Sequence, residues 1–133
     1  MTYGYTAGVF DIYHPGHATL LERARSRCDH LTVGLSTDAL AEYKGTTPVM
    51  TYAERSAVVR SVRWVDSVVP QSSLDKFEAW RRLKFDVLFV GDDWYGEPNW
   101  KRYEQQLDEV GVAVIYFPYT ESISSTEIKQ RLA

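Results

Sequence analysis

Gly8-Val9-Phe10-Asp11-Ile12-Tyr13-His14-Pro15-Gly16-His17 joins the first strand-like run, Tyr5–Val9, to the first helical pattern, about His17–Cys28. In that pattern Leu20, Leu21, Ala24 and Cys28 fall at helical spacing. A strand passing through a Gly- and Pro-bearing turn straight into a helix is the opening of a β-α unit. Working outward, Leu31–Ser36, Val65–Pro70, Val87–Gly91 and Val112–Phe117 are short apolar runs that read as strands. Tyr52–Val62, Leu74–Leu83 and Asn99–Val110 read as helices. Thr51 with Glu54, and Ser124 with Glu127, form capping boxes that mark two helix starts, and Gly111 marks a stop. The alternation predicts an α/β fold: a doubly wound parallel sheet of about five strands with helices on both faces. No internal repeat, low-complexity tract or linker interrupts it, so residues 1–133 read as a single domain.

A chain of 133 residues can bury a real core, and 44% hydrophobic with 25% charged content excludes a disordered polymer. The formal charge of −3 excludes a general nucleic-acid binder, which needs a basic surface to gain from counterion release. Small anionic ligands need only a local positive pocket. One cysteine, Cys28, excludes an internal disulfide and a cysteine-rich zinc site, and reads as a small apolar residue late in a helix. No apolar run approaches the roughly 20 residues of a membrane span. Met1 to Tyr5 lacks the pattern of a signal peptide, so a cytoplasmic protein is expected, with neither membrane nor nucleic acid as partner.

In parallel sheets ligands bind beyond the carboxyl ends of the strands. The unusual residues fall there. Asp11, His14 and His17 follow the first strand; Thr37, Asp38 and Lys44 follow the second. Gly91-Asp92-Asp93-Trp94 follows the fourth and Tyr119 to Thr126 the fifth, so four loops converge on one crevice. His14 and His17, separated by Pro15 and Gly16, sit at a helix start, where unpaired amides and the positive dipole end favour phosphate. A zinc site would need further ligands, and His30 is the only other histidine. Ser124, Ser125 and Thr126 offer an N-cap and, beyond it, a second nest of amides and hydroxyls for an anion. Lys44 and Arg55, taken singly, read as solvated surface. Arg55 stands four residues after Thr51, which brings a guanidinium near that helix's first turn and within reach of a phosphate. The connection from Thr37 to Met50 is long for an α/β loop and reads as a candidate lid. Gly91-Asp92-Asp93-Trp94 reads either as a plain turn or as hydroxyl recognition with stacking, and Trp64, Trp80 and Trp100 as core or interface aromatics.

Together these segments resemble the cytidylyltransferase branch of the HxGH nucleotidyltransferase superfamily, most of all its glycerol-3-phosphate members. The resemblance runs through Gly-Val-Phe-Asp with His14-Pro15-Gly16-His17, Leu20-Leu21-Glu22-Arg23-Ala24 and Gly34-Leu35-Ser36-Thr37-Asp38. It continues through Tyr52-Ala53-Glu54-Arg55, Val65-Asp66, Gly91-Asp92-Asp93-Trp94 and Ile123-Ser124-Ser125-Thr126. It implies a Rossmann-like domain that joins CTP to a phosphorylated alcohol, glycerol 3-phosphate first, and releases pyrophosphate. Mg²⁺ would accompany the triphosphate, and the chain would form a homodimer. By the same resemblance His14, His17 and Lys44 are the catalytic residues. Gly8, Val9, Phe10, Asp11, Gly16, Arg55, Gly91, Asp93, Tyr119, Thr120, Ile123, Ser124, Ser125 and Thr126 join the histidines at the nucleotide, and Asp11, Asp38 and Lys44 serve the acceptor. The chain departs from the family pattern with Tyr119 for an arginine, Ser122 for a glycine and Thr46 for a second lysine. The alternatives are a different phosphorylated polyol or sugar, an adenylyltransferase of the same superfamily, and a nucleotide-binding regulatory module without catalysis.

Overall fold

In a computed structural model, which describes residues 1–91, 99–117 and 130–131, the expected strands pair into one parallel sheet of order β3-β2-β1-β4-β5. The strands are β1 (Tyr3–Gly8), β2 (His30–Ser36), β3 (Ser67–Gln71), β4 (Val87–Gly91) and β5 (Ala113–Phe117). The helices are α1 (Pro15–Arg25), α2 (Asp38–Tyr43), α3 (Tyr52–Arg60), α4 (Lys76–Leu83) and α5 (Trp100–Glu109). β1 pairs with β2 from Tyr3 opposite His30 to Gly8 opposite Leu35, and with β4 from Gly4 opposite Val87 to Thr6 opposite Phe89.

The strand runs lack alternation because both faces are covered. On one face Leu21 and Ala24 of α1 and Val59 of α3 pack on Leu31, Val33, Leu35 and Phe89. On the other, Ala79 of α4 and Trp100, Tyr103 and Leu107 of α5 pack on Tyr5, Leu88 and Val90. Fully buried leucines such as Leu21, Leu31 and Leu107 each stabilise the fold by about 1.5–3 kcal/mol. From β1 the chain winds outward to β2 and β3, then returns across the sheet to β4 and β5. Right-handed crossovers therefore put the two helix pairs on opposite faces, and the winding reverses between β1 and β4.

One glycine is dictated by a close approach. A Cβ on Gly34 of β2 would lie 1.8 Å from Tyr5 Oη. The Tyr5 ring crosses Gly34 to donate to Gln71 Oε1 at 2.8 Å, and buried Lys76 Nζ reaches the same oxygen at 3.5 Å. Burial of the Tyr5 phenol pushes its pKa well above the usual tyrosine value.

Three local expectations change. The Thr37–Met50 connection is not one loop, because Thr37 caps α2 by accepting from the Leu40 amide at 3.2 Å, leaving Lys44 as the C-cap. α1 starts at Pro15 with His14 as its N-cap, since proline is suited to the first helical position. Cys28 lies past the α1 C-cap, Ser26, buried where a Cβ on Gly4 would meet its sulfur at 2.8 Å. The Thr51–Glu54 capping box forms, with bonds of 3.2 and 2.9 Å, whereas the Ser124–Glu127 box lies outside the described residues. Trp100 is core; Trp64 and Trp80 are half-buried. Among the described residues, no helix is long and apolar enough to cross a membrane.

Candidate active site

The crevice lies where the winding reverses, at the carboxyl ends of β1 and β4. It is a cleft of about 280 Å³ whose lining includes Gly8, Val9, Phe10, His17, Lys44 and Gly91. Ligands of open parallel sheets are expected at this point.

The histidines are built into the start of α1. His14 takes an extended backbone, φ −143° and ψ 174°, and its Nδ1 accepts from the Gly16 amide at 3.1 Å. The His14 amide in turn donates to His17 Nδ1 at 3.3 Å. With each Nδ1 accepting, the proton of each neutral ring sits on Nε2. The rings stack with centroids 3.9 Å apart. Burial, and secondly the neighbouring His14, pulls the His17 pKa from 6.5 down to about 4, against an opposing pull from Asp11. His17 is therefore neutral near pH 7, and its Nε2 is a donor. No acidic residue occupies the first turn of α1, so the positive end of the helix is not offset there.

The turn between β1 and α1 is strained. Phe10 and Ile12 adopt φ of 51° and 49°, a region that non-glycine residues, and β-branched ones above all, rarely enter. Phe10 is buried over Gly8, where a Cβ would lie 2.9 Å from its ring. Asp11, between the two strained residues, is 3% exposed and accepts from the amides of Val49 at 2.8 Å and Met50 at 3.0 Å. Neither strained position is a glycine, so the sequence carries no signal for this geometry.

Lys44 reaches the cleft from the end of α2 and donates from Nζ to Ser36 Oγ at 3.1 Å. Ser36 was not singled out in the sequence; its place at the last position of β2 was the available signal. Arg55 is fully buried and turned toward protein acceptors: Nε to Met50 O at 3.1 Å, and Nη1 to Val9 O at 2.9 Å and Ser36 O at 2.8 Å. Its Nη2 donates to Asp38 Oδ1 at 2.7 Å, which holds that carboxyl below its usual range. Asp38 Oδ2 also accepts from the Tyr52 amide at 3.2 Å.

The expected site residues thus separate. Gly8, Val9, Phe10, His17, Lys44 and Gly91 border the cleft, with His14 stacked on His17 and Gly16 bonded to His14. Asp11, Asp38 and Arg55 tie the surrounding loops to one another. Asp93, Tyr119, Thr120, Ile123, Ser124, Ser125 and Thr126 lie outside the described residues.

Residues 5–131 match the family described as cytidylyltransferase-like. The chain is 34% identical over 135 residues to the glycerol-3-phosphate cytidylyltransferase of Bacillus subtilis (strain 168), covering 96% of this chain and 95% of that protein. It is 37% identical over 128 residues to the enzyme of the same name from Staphylococcus aureus (strain NCTC 8325 / PS 47), covering 96% and 92%. Among solved structures, a lipopolysaccharide core biosynthesis protein from Thermoplasma volcanium GSS1 superposes with a TM-score of 0.76 over 92% of this chain and 99% of that one. At 22% identity that likeness speaks for the fold.

Proposed function

We propose that this chain, which belongs to the cytidylyltransferase-like family, transfers the cytidylyl group of CTP to glycerol 3-phosphate, giving a CDP-alcohol and pyrophosphate. A phosphate oxygen of the acceptor attacks the α-phosphorus in line. One P–O bond forms, the bond to the β-phosphate's bridging oxygen breaks, and that oxygen leaves with the pyrophosphate. Catalysis of this kind is positioning plus stabilisation of charge on the moving oxygens. Near-full-length identity to the two glycerol-3-phosphate cytidylyltransferases supports the substrate pair. The observation that carries the chemistry is the stacked His14–His17 pair at the α1 N-terminus, in which each Nδ1 accepts from a backbone amide and His17 is neutral with its proton on Nε2. His17 Nε2–H and the α1 amides would meet the triphosphate, and the Lys44 ammonium would lower repulsion between nucleotide and acceptor phosphates.

Ser124, Ser125 and Thr126, with Tyr119 and Thr120, are proposed to hold the nucleotide on the strength of the family motif alone. Mg²⁺ would ride on the triphosphate. The cleft supplies imidazole and ammonium donors, which suit anions, and among the described residues no three His, Cys, Asp or Glu side chains come together to hold a cation. We place the protein in the cytoplasm as a homodimer joined through the Arg60–Trp64 stretch, where Arg63 covers the half-buried Trp64 ring at 5.7 Å. Light scattering at micromolar concentration should give twice the 15.3 kDa chain mass; the single mass would remove the dimer.

Pyrophosphate release with CTP and ATP, each against glycerol 3-phosphate and a panel of phosphorylated polyols and sugars, tests the function. CTP with glycerol 3-phosphate should be fastest. Faster turnover with ATP would make the protein an adenylyltransferase, and no release with any pair would leave a nucleotide-binding module.

A further inference from the structure

We propose that Asp11 and Arg55 are positioning residues that latch the Lys44 loop to the histidine turn, and not ligands of either substrate. This rests on the reading above only where turnover is concerned. Met50 is held from both sides: its amide donates to Asp11 Oδ1 at 3.0 Å and its carbonyl accepts from Arg55 Nε at 3.1 Å. The Val49 amide adds a second bond to Asp11 at 2.8 Å. Arg55 Nη1 then bridges the carbonyls of Val9, just before the strained turn, and Ser36, whose hydroxyl accepts from Lys44 Nζ. One carboxylate and one guanidinium therefore connect the ends of β1 and β2 with the segment that follows Lys44.

Burial argues against a ligand role. Arg55 is 0% exposed, while the Asp38 carboxylate paired with it is 51% exposed. A buried cation facing a half-solvated carboxylate and three carbonyls is a costly arrangement, explained by the geometry it holds. Asp11 lies between φ values of 51° and 49°, a turn that persists only if its surroundings over-determine it. The two amide bonds to Asp11 and the Arg55 bond to Val9 supply that constraint. Four residues, 45 to 48, separate Lys44 from the latched pair, so the latch sets how Lys44 stands relative to His17 across the cleft.

Asp11→Asn removes one of the two amide acceptors without changing side-chain size. It should lower turnover roughly 100-fold, the cost of misplacing a catalytic group by about 1 Å, with CTP affinity by titration nearly unchanged. Amide hydrogen exchange over residues 44–50 of the free protein should accelerate. The Asp11→Asn and Lys44→Ala losses should be far from multiplicative, since the first variant already misplaces Lys44. Arg55→Lys keeps the charge but not the fork, and should reproduce this pattern; Asp11→Asn decides if that variant does not fold. Multiplicative losses with unchanged exchange, or a loss confined to CTP affinity, would make these residues ligands and overturn the latch. If the unaltered protein releases no pyrophosphate with any pair, the functional reading fails separately. Exchange then still decides: faster at 44–50 in Asp11→Asn supports the latch, and equal rates overturn it.

Discussion

His17 has two uses for its two nitrogens: Nδ1 accepts from the His14 amide, and Nε2 carries the proton of a ring that borders the cleft. Asparagine mimics the Nδ1 position and glutamine the Nε2 position. His17→Asn should therefore keep the cap and the fold while lowering turnover by about two orders of magnitude or more, the usual cost of losing a donor to developing charge. Near-normal turnover in a folded His17→Asn protein, measured by pyrophosphate release, would remove the catalytic reading. The low pKa of His17 has a second consequence. Between its folded value of about 4 and its ordinary 6.5, the unfolded chain binds a proton that the folded chain does not. Stability from this group is thus full above pH 6.5 and falls as pH drops toward 4, by at most about 1.4 kcal/mol per unit. Urea unfolding at pH 4.5 and 6.5 should show this slope, and His17→Asn should flatten it. Parallel slopes in the two proteins would refute the attribution.

At the scale of elements, caps and one glycine decide how the site is framed. α3 carries Arg55, and its start is fixed by Thr51 Oγ1 accepting from the Glu54 amide and Glu54 accepting from the Thr51 amide. Thr51→Ala should cost about 1 kcal/mol in chemical denaturation, with turnover falling little unless Arg55 moves. The β2 position at Gly34 is less forgiving. A methyl there collides with Tyr5 Oη at 1.8 Å and its ring at 2.6 Å. Gly34→Ala should cost about 1–3 kcal/mol, and much less in a Tyr5→Ala background, where the obstacle is gone. Equal costs in both backgrounds would show that the strand, and not the tyrosine, rejects the substitution.

At the scale of the molecule, the reversal of winding between β1 and β4 opens the crevice, and the loops at the strand ends bring His17 and Lys44 to it from different elements. A ligand bound there contacts groups that converge only in the folded chain. CTP at about 100 times its Kd should therefore add about 2.7 kcal/mol of stability, read as a rise in Tm, and the rise should shrink in His14→Ala. A Tm indifferent to CTP would mean that the folded chain does not bind it, and a rise undiminished in His14→Ala would place the nucleotide elsewhere.

Residue order alone carries the strands, the covered parallel sheet, the helix cap at Thr51 and the family, because apolar spacing, capping residues and ordered motifs are local properties. It also located the histidines, since a helix start after a strand is visible in the residue order. Tertiary structure alone decided the rest. Arg55, taken singly, reads as solvated surface, yet it is buried, because the carbonyls of Val9, Ser36 and Met50 converge on it only after three segments pack. The left-handed turns at Phe10 and Ile12, and the docking of Val49 and Met50 on Asp11, follow likewise from long-range contacts that over-determine a backbone no local preference would choose.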